Sequence, residues 1–180
     1  MGRSFVLSSL IGALIAFCWG FLSWVVIPWH MNNIHRFQNA QQVSQAFLDN
    51  APENGIYFLH PMECVVANPD NPSQCQSVFA SVKKMHMADN QYIHIFYSFL
   101  TQLLAAIFIT WLLINAKATK FWDRVTFVTI VGLISGILAF LPAWNWWGFP
   151  VSYTAIGILD LVIAWFLAGL AMAKLTKKHH

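Results

Sequence analysis

The chain has 180 residues, of which 58% are apolar and only 9% charged, with a formal net charge of +3. A typical soluble domain carries about 25% charged residues, so this composition excludes an ordinary water-soluble globule and points to an integral membrane protein. The excess of basic residues is small and scattered, which argues against a nucleic-acid partner.

About 20 consecutive apolar residues cross a bilayer as a helix. Four such segments are predicted, at residues 5–27, 93–115, 125–141 and 151–173. They are too long and continuous for β-barrel strands, which alternate over about ten residues. The first run continues past the length of a signal-peptide core, through Cys18 and Trp24 to Pro28, and so reads as a retained anchor. Along it, Ser9, Ala13, Ala16, Gly20 and Ser23 form a stripe of small residues at helical spacing. Such stripes let helix backbones approach closely in lipid. Cys18 reads as a small packing residue.

Residues 29–92 are too long for a mere connection and are expected to form a small ordered cap. A short helix is predicted at 39–50 and a strand at 56–60. Residues 77–89, with Val78, Val82 and Met85 at helical spacing, are predicted to lead as a helix into the second span. Cys64 and Cys75 both fall in this cap, and on the side of a membrane where disulfides persist they are expected to pair.

The second span has Ser98, Gln102, Ala105 and Ala106 as its inner face. The third carries Thr129, Gly132, Gly136, Ala139 and Ala143, including a GxxxG pair. PAWNWWGFP, from Pro142, reads as an aromatic-rich turn into the fourth span, whose inner face is Gly157, Asp160, Ala164, Ala168 and Ala171. Phe17, Phe21, Trp24, Trp165 and Phe166 are assigned to the remaining faces. Trp29, Tyr92, Trp144, Trp146, Trp147 and Phe149 are expected at one membrane interface, and Phe121 and Trp122 at the other. Lys and Arg flank the ends that hold Arg3, Lys117, Lys120, Arg124, Lys174, Lys177 and Lys178, which orients both termini to the cytoplasm and 29–92 to the outside. The expected fold class is thus an all-α membrane protein, an antiparallel four-helix transmembrane bundle with a disulfide-tied extracytoplasmic cap between its first two helices.

Asp160 has no other charge near it in its span, and a carboxyl group in hydrocarbon costs several kcal/mol unless it is paired or faces a wet cavity. It lies roughly 15 Å from the outer interface at the rise of an α-helix. Gln102 falls at nearly the same depth and is its expected partner; Trp19, through its indole N–H, is the other candidate. His30 closes the first span and His94 opens the second, so the two can meet at the bundle mouth, and Trp147 borders the same region. The pattern points to a ligand-binding group of Asp160, Gln102, Trp19, His30, His94 and Trp147. A second reading is copper. Met85-His86-Met87, with His60 and Met62, supplies the thioether and imidazole ligands that suit the cuprous ion. A third, a quinone-linked redox enzyme, would need communicating cysteine pairs, whereas the cap holds one widely spaced pair. No catalytic constellation is evident.

WGFLSWVVIPWH, PENGIYFLHP and NWWGFPVSYT with LDLVIAWFLAGLAMA resemble, at the level of pattern, a family of small four-span bacterial inner-membrane proteins. The resemblance covers about half of the chain, implies a bacterial inner-membrane location with a periplasmic cap, and carries no activity over. Taken together, the residues lead us to expect a non-catalytic binding or accessory protein that holds a lipid-like ligand or a partner protein at its periplasmic mouth. Its expected partners are membrane lipid and either a partner membrane protein or further copies of itself. No cofactor is expected, copper being the alternative.

Overall fold

A computed structural model of the chain describes residues 2–67, 69–84, 90–116 and 118–176. In chain order, α1 (Gly2–Phe21) passes into a π-helical turn (Leu22–Val26), and a 3-10 turn follows at Met31–Asn33. Next come α2 (Ala40–Asn50), β1 (Gly55–Leu59), α3 (Pro61–Ala67), a 3-10 turn (Pro72–Gln74) and β2 (Val78–Val82). Three long helices complete the chain: α4 (Gln91–Asn115), α5 (Phe121–Trp147) and α6 (Val151–Leu175). The chain divides into two compact units, Met1–His35 with Asn90–His180, and Arg36–Asp89.

The first unit is a bundle of four long helices, each long and apolar enough to cross a membrane. The helix α6 packs on α5 along one side and on α1 along another, and α1 packs on α4, while α4 and α5 scarcely touch. Neighbours run antiparallel. Arg124, at the start of α5, donates to the carbonyl of Ala173 at the end of α6, and Gly12, early in α1, faces Met172, late in α6. The core is Ala13, Ala106, Ile109, Leu113, Val128, Trp165, Ala168 and Met172.

Small residues set these contacts, much as the stripes predict. Ser9, Ala13, Ala16 and Ser23 of the first stripe are buried. On α5, Gly132 and Gly136 are buried but Ala139 is exposed, so the contact face there is Val125, Val128, Gly132 and Gly136. Trp165 corrects its assignment to an outer face: it is buried because Gly132 leaves room for its Cβ, which would lie 2.7 Å from any Cβ built at that glycine. Cys18, expected as a packing residue, lies exposed on α1.

The expected turn at Pro142 is helix. Pro142 removes one backbone donor, but α5 runs on to Trp147. It stops where Gly148 takes a left-handed conformation, φ 68°, and the Gly148 and Phe149 N–H groups both bond the Ala143 carbonyl. A left-handed glycine, which lacks the Cβ clash, is a common helix stop. It ends this helix beyond the proline and beyond the expected 125–141.

In the second unit, Asn39 caps α2 by accepting from the Gln42 N–H at 3.0 Å. The disulfide Cys64–Cys75 is formed, with Cα atoms 5.5 Å apart, and ties α3 to the segment after the second 3-10 turn. The helix expected at 77–89 is a strand where it is described. β2 pairs antiparallel with β1, with Tyr57 opposite Ala80 and Phe58 opposite Phe79. Val78 and Val82 suit a helical spacing of four, but with Ala80 they equally suit a strand's period of two. The unpaired edge of β1 favours the strand.

Candidate functional site

The site begins where α1 loses its regular winding. In the π turn the Ile27 N–H reaches back five residues to the Leu22 carbonyl at 3.0 Å. The next such donor would come from Pro28, which has no N–H. The Ser23 carbonyl is therefore left over, and the indole N–H of Trp29 takes it at 3.2 Å while also donating to Ser23 Oγ at 3.0 Å. This folds the chain after Pro28 back on itself. Trp29 thus serves as a structural donor to the end of the helix.

The fold-back delivers His30 into the bundle. Its residue is 2% exposed. One ring face stacks on Trp24, with centroids 4.0 Å apart and planes 5° from parallel. Trp29 meets the ring edge-on at 5.7 Å. Nε2 lies 3.0 Å from Ser23 Oγ and 3.4 Å from Asp160 Oδ2. The other oxygen of Asp160, Oδ1, accepts from the Trp19 indole N–H at 2.6 Å. The Asp160 side chain is 14% exposed. The carboxyl group predicted to need a partner thus has one on each oxygen, both from α1 and the turn that ends it.

Ser, His and Asp together suggest a hydrolytic triad, but the geometry differs. In a triad the carboxylate holds Nδ1 and the serine faces Nε2; here both face Nε2. With a proton on Nε2 the ring donates toward Asp160 and Ser23, and without it the Ser23 hydroxyl donates to the ring. The arrangement is a clasp between α1 and α6, with the serine held by its own bond from Trp29.

Beside the clasp lies a cavity of about 470 Å³ lined by residues of α1, α4, α5 and α6. Phe17, Phe21, Val25, Ile95, Phe140 and Leu161 make its apolar walls. Trp19, Trp24, His30 and Asp160 line one side, and His94, Ser98 and Gln102 face it from α4, one helical turn apart. Gln102 and His94 therefore share the cavity with Asp160. The expected Gln102–Asp160 bond is absent among the described residues; Trp19 and His30 occupy both carboxyl oxygens instead. Gln102 and His94 have no side-chain hydrogen bond to a described residue. Trp147 does not line the cavity; it is half-exposed at the end of α5.

Met85, His86 and Met87 lie outside the described residues. Of their proposed companions, His60 accepts through Nδ1 from the Met62 N–H at 3.2 Å, while its own N–H donates to Glu63 at 3.2 Å. This reciprocal pattern caps α3, and Met62 is exposed. Among the described residues there is no group of three or more His, Cys, Asp or Glu placed to hold a metal. Sequence reasoning missed Ser23, Trp24 and Trp29 as members of the site. The signal available was Pro28, which predicts an orphaned carbonyl one helical turn earlier. Comparison with protein-family models, curated proteins and solved structures finds no match to this chain.

Proposed function

We propose that the chain is a four-span integral protein of a bacterial inner membrane and a non-catalytic binding or accessory protein, which holds a lipid-like amphiphile in the cavity beside the Asp160 clasp. The observation that carries this is the pairing of apolar walls with two uncommitted polar side chains, Gln102 and His94, in a space of about 470 Å³. Small-molecule sites commonly occupy about 300–1,000 Å³ and combine apolar walls with a few placed polar groups. An amphiphile would lay its hydrocarbon along Phe17, Phe21 and Phe140 and hydrogen-bond its head to Gln102 and His94. Asp160 and His30 would hold α1 against α6 and so keep the space open.

The membrane reading is supported by the surface of the helices. Val6, Leu10, Leu14, Leu104, Phe108, Ile130, Leu138 and Leu159 are exposed, far more apolar surface than a water-soluble monomer leaves uncovered. The Lys and Arg distribution supports cytoplasmic termini. In a Cys18→Ser background, Gln41→Cys should react with an impermeant thiol reagent in spheroplasts and Thr119→Cys should not; the reverse pattern would invert the topology.

The binding reading is tested by native mass spectrometry of protein extracted in mild detergent. A bound amphiphile should accompany the parent chain and be lost from Ser98→Trp, which fills the cavity from an exposed position on α4. A parent chain free of any bound amphiphile, and unable to take one from added membrane lipid extract, would reject the reading.

A further inference from the structure

At the opposite end of the bundle, Arg124 is 5% exposed. It sits one turn into α5, whose N-cap position is Lys120, a residue that provides no side-chain cap. A guanidinium has five N–H donors and is always charged. Nε donates to the Ala118 carbonyl at 3.1 Å and one Nη to the Ala173 carbonyl at 3.4 Å. Three donors remain, and among the described residues no carboxylate lies within ion-pair distance of the group. Asp123, next in sequence, is exposed and unpaired with it. A buried charge without a counter-ion is strongly unfavourable. Two carbonyl contacts, one of them long, offset only part of that cost.

Arg124 borders a recess of about 320 Å³, whose other walls are Thr119, Phe121, Ala173 and Lys174. Lys174 is exposed and adds a second positive charge. Thr119 adds a hydroxyl donor, and the uncapped first turn of α5 adds N–H groups and the positive end of a helix dipole. The basic and N–H groups here favour a negative charge; against them stand the carbonyls at the C-terminal end of α6, of which Arg124 engages that of Ala173. The planar fork of arginine matches phosphate oxygens in pairs, and basic recesses between membrane helices suit anionic lipid heads.

We propose that this recess is a phosphate-binding site, with Arg124 as the buried fork, Lys174 as the outer charge and Thr119 as a further donor. Its ligand is a phosphate group, borne by a membrane phospholipid or free in solution. The site shares no residue with the cavity at Asp160 and stands whether or not that cavity binds anything.

The test uses the purified full chain in mild detergent and reads its melting temperature in three arms: inorganic phosphate, mixed micelles with phosphatidylglycerol, and mixed micelles with phosphatidylcholine. Stabilisation by phosphatidylglycerol above phosphatidylcholine, without an effect of inorganic phosphate, establishes a lipid-head site. Stabilisation by inorganic phosphate establishes a free-anion site. In either case Lys174→Gln should weaken the apparent affinity several-fold without changing the melting temperature of the ligand-free protein, because Lys174 is exposed. Arg124→Lys, which keeps the charge and loses the fork, should weaken it further. Equal response to all three arms, or an affinity unchanged in Lys174→Gln and in a folded Arg124→Lys, would overturn the proposal and leave Arg124 as a tie between helix ends.

Discussion

Helix α6 meets α5 along one side and α1 along another, and the two seams are held by different means. On the α5 side, glycines bring backbones together. A Cβ added at Gly132 would lie 2.9 Å from the Leu161 carbonyl, and one at Gly136 would lie 3.0 Å from the Ile158 Cα. On the α1 side, near Asp160, side chains reach across: an indole, an imidazole and a carboxyl group. Around Gly132 and Gly136 the first seam packs backbone against backbone and side chain, with no charged group in the contact. The second holds the helices at side-chain length and leaves a cavity beside the contact. Where hydrocarbon replaces water, close packing and hydrogen bonding are the two means available for joining helices. Only the second can also present polar groups to a ligand.

Breaking the close seam should have the larger effect. At Gly132 the clash involves the Leu161 backbone and the Cβ of Trp165, neither of which can swing aside. Gly132→Ala should cost about 1–3 kcal/mol, the range for overpacking a well-packed core, and Gly132→Leu more, with α5 driven off α6. Gly20 is the control. Nothing lies within 4 Å of a Cβ built there, so Gly20→Ala should be neutral, or stabilising by up to about 1 kcal/mol from helix propensity. Thermal unfolding in detergent measures both. Equal losses at Gly20 and Gly132 would remove the steric account of the seam.

Breaking the polar seam should cost less. Hydrogen bonds between membrane helices average about 0.6 kcal/mol and reach about 1.7 kcal/mol. Asp160→Leu removes two contacts and strands the Trp19 N–H, so a loss of about 1–2 kcal/mol is expected. Asp160→Asn keeps an acceptor for Trp19 and should lose less. Trp19→Phe should resemble Asp160→Leu in stability. A loss for Asp160→Asn as large as for Asp160→Leu would show that the charge, and not the acceptor, holds the seam.

Much of the close seam was legible in the sequence, because small residues at helical spacing have a single strong use in an apolar helix. Gly132, Gly136 and Gly157 were picked out that way, while Gly169, which meets Val125 and Val128, was not. Asp160 was legible for the opposite reason, as a lone carboxyl group that demands a partner. Its partners were only half legible. Counting along helices gives depth, which brought Trp19 and Gln102 level with Asp160, but depth says nothing of rotation about the helix axis. The axis places Trp19 against α6 and leaves Gln102 across a cavity. His30 was legible as a mouth residue and not as a buried one. A helix extrapolated in a straight line carries it outward, and only the π turn with Pro28 brings it back. The strand β2 escaped for a related reason: five residues are too few for periodicity to decide, and the partner that decides, β1, is remote in sequence.

The smallest expected effect tests whether that fold-back builds the polar seam. Trp29→Phe keeps an aromatic ring beside His30 and removes the N–H that serves Ser23 at 3.2 and 3.0 Å. The direct loss should be about 0.5–1.5 kcal/mol, the usual net worth of such a bond. The more telling quantity is its coupling to Asp160. If the Trp29 N–H fixes Ser23, and Ser23 with Trp24 fixes His30 against Asp160, then Trp29→Phe loosens the His30 contact before Asp160 is touched. Combined with Asp160→Leu it should then cost less than the two single losses added together. Distant, independent sites add to within about 0.3–0.5 kcal/mol. A double-mutant cycle on unfolding free energy with a coupling above that range would join Trp29 to the clasp. Strict additivity would separate them, leaving Trp29 as a cap on the end of α1 and Trp19 as the residue through which α1 holds Asp160.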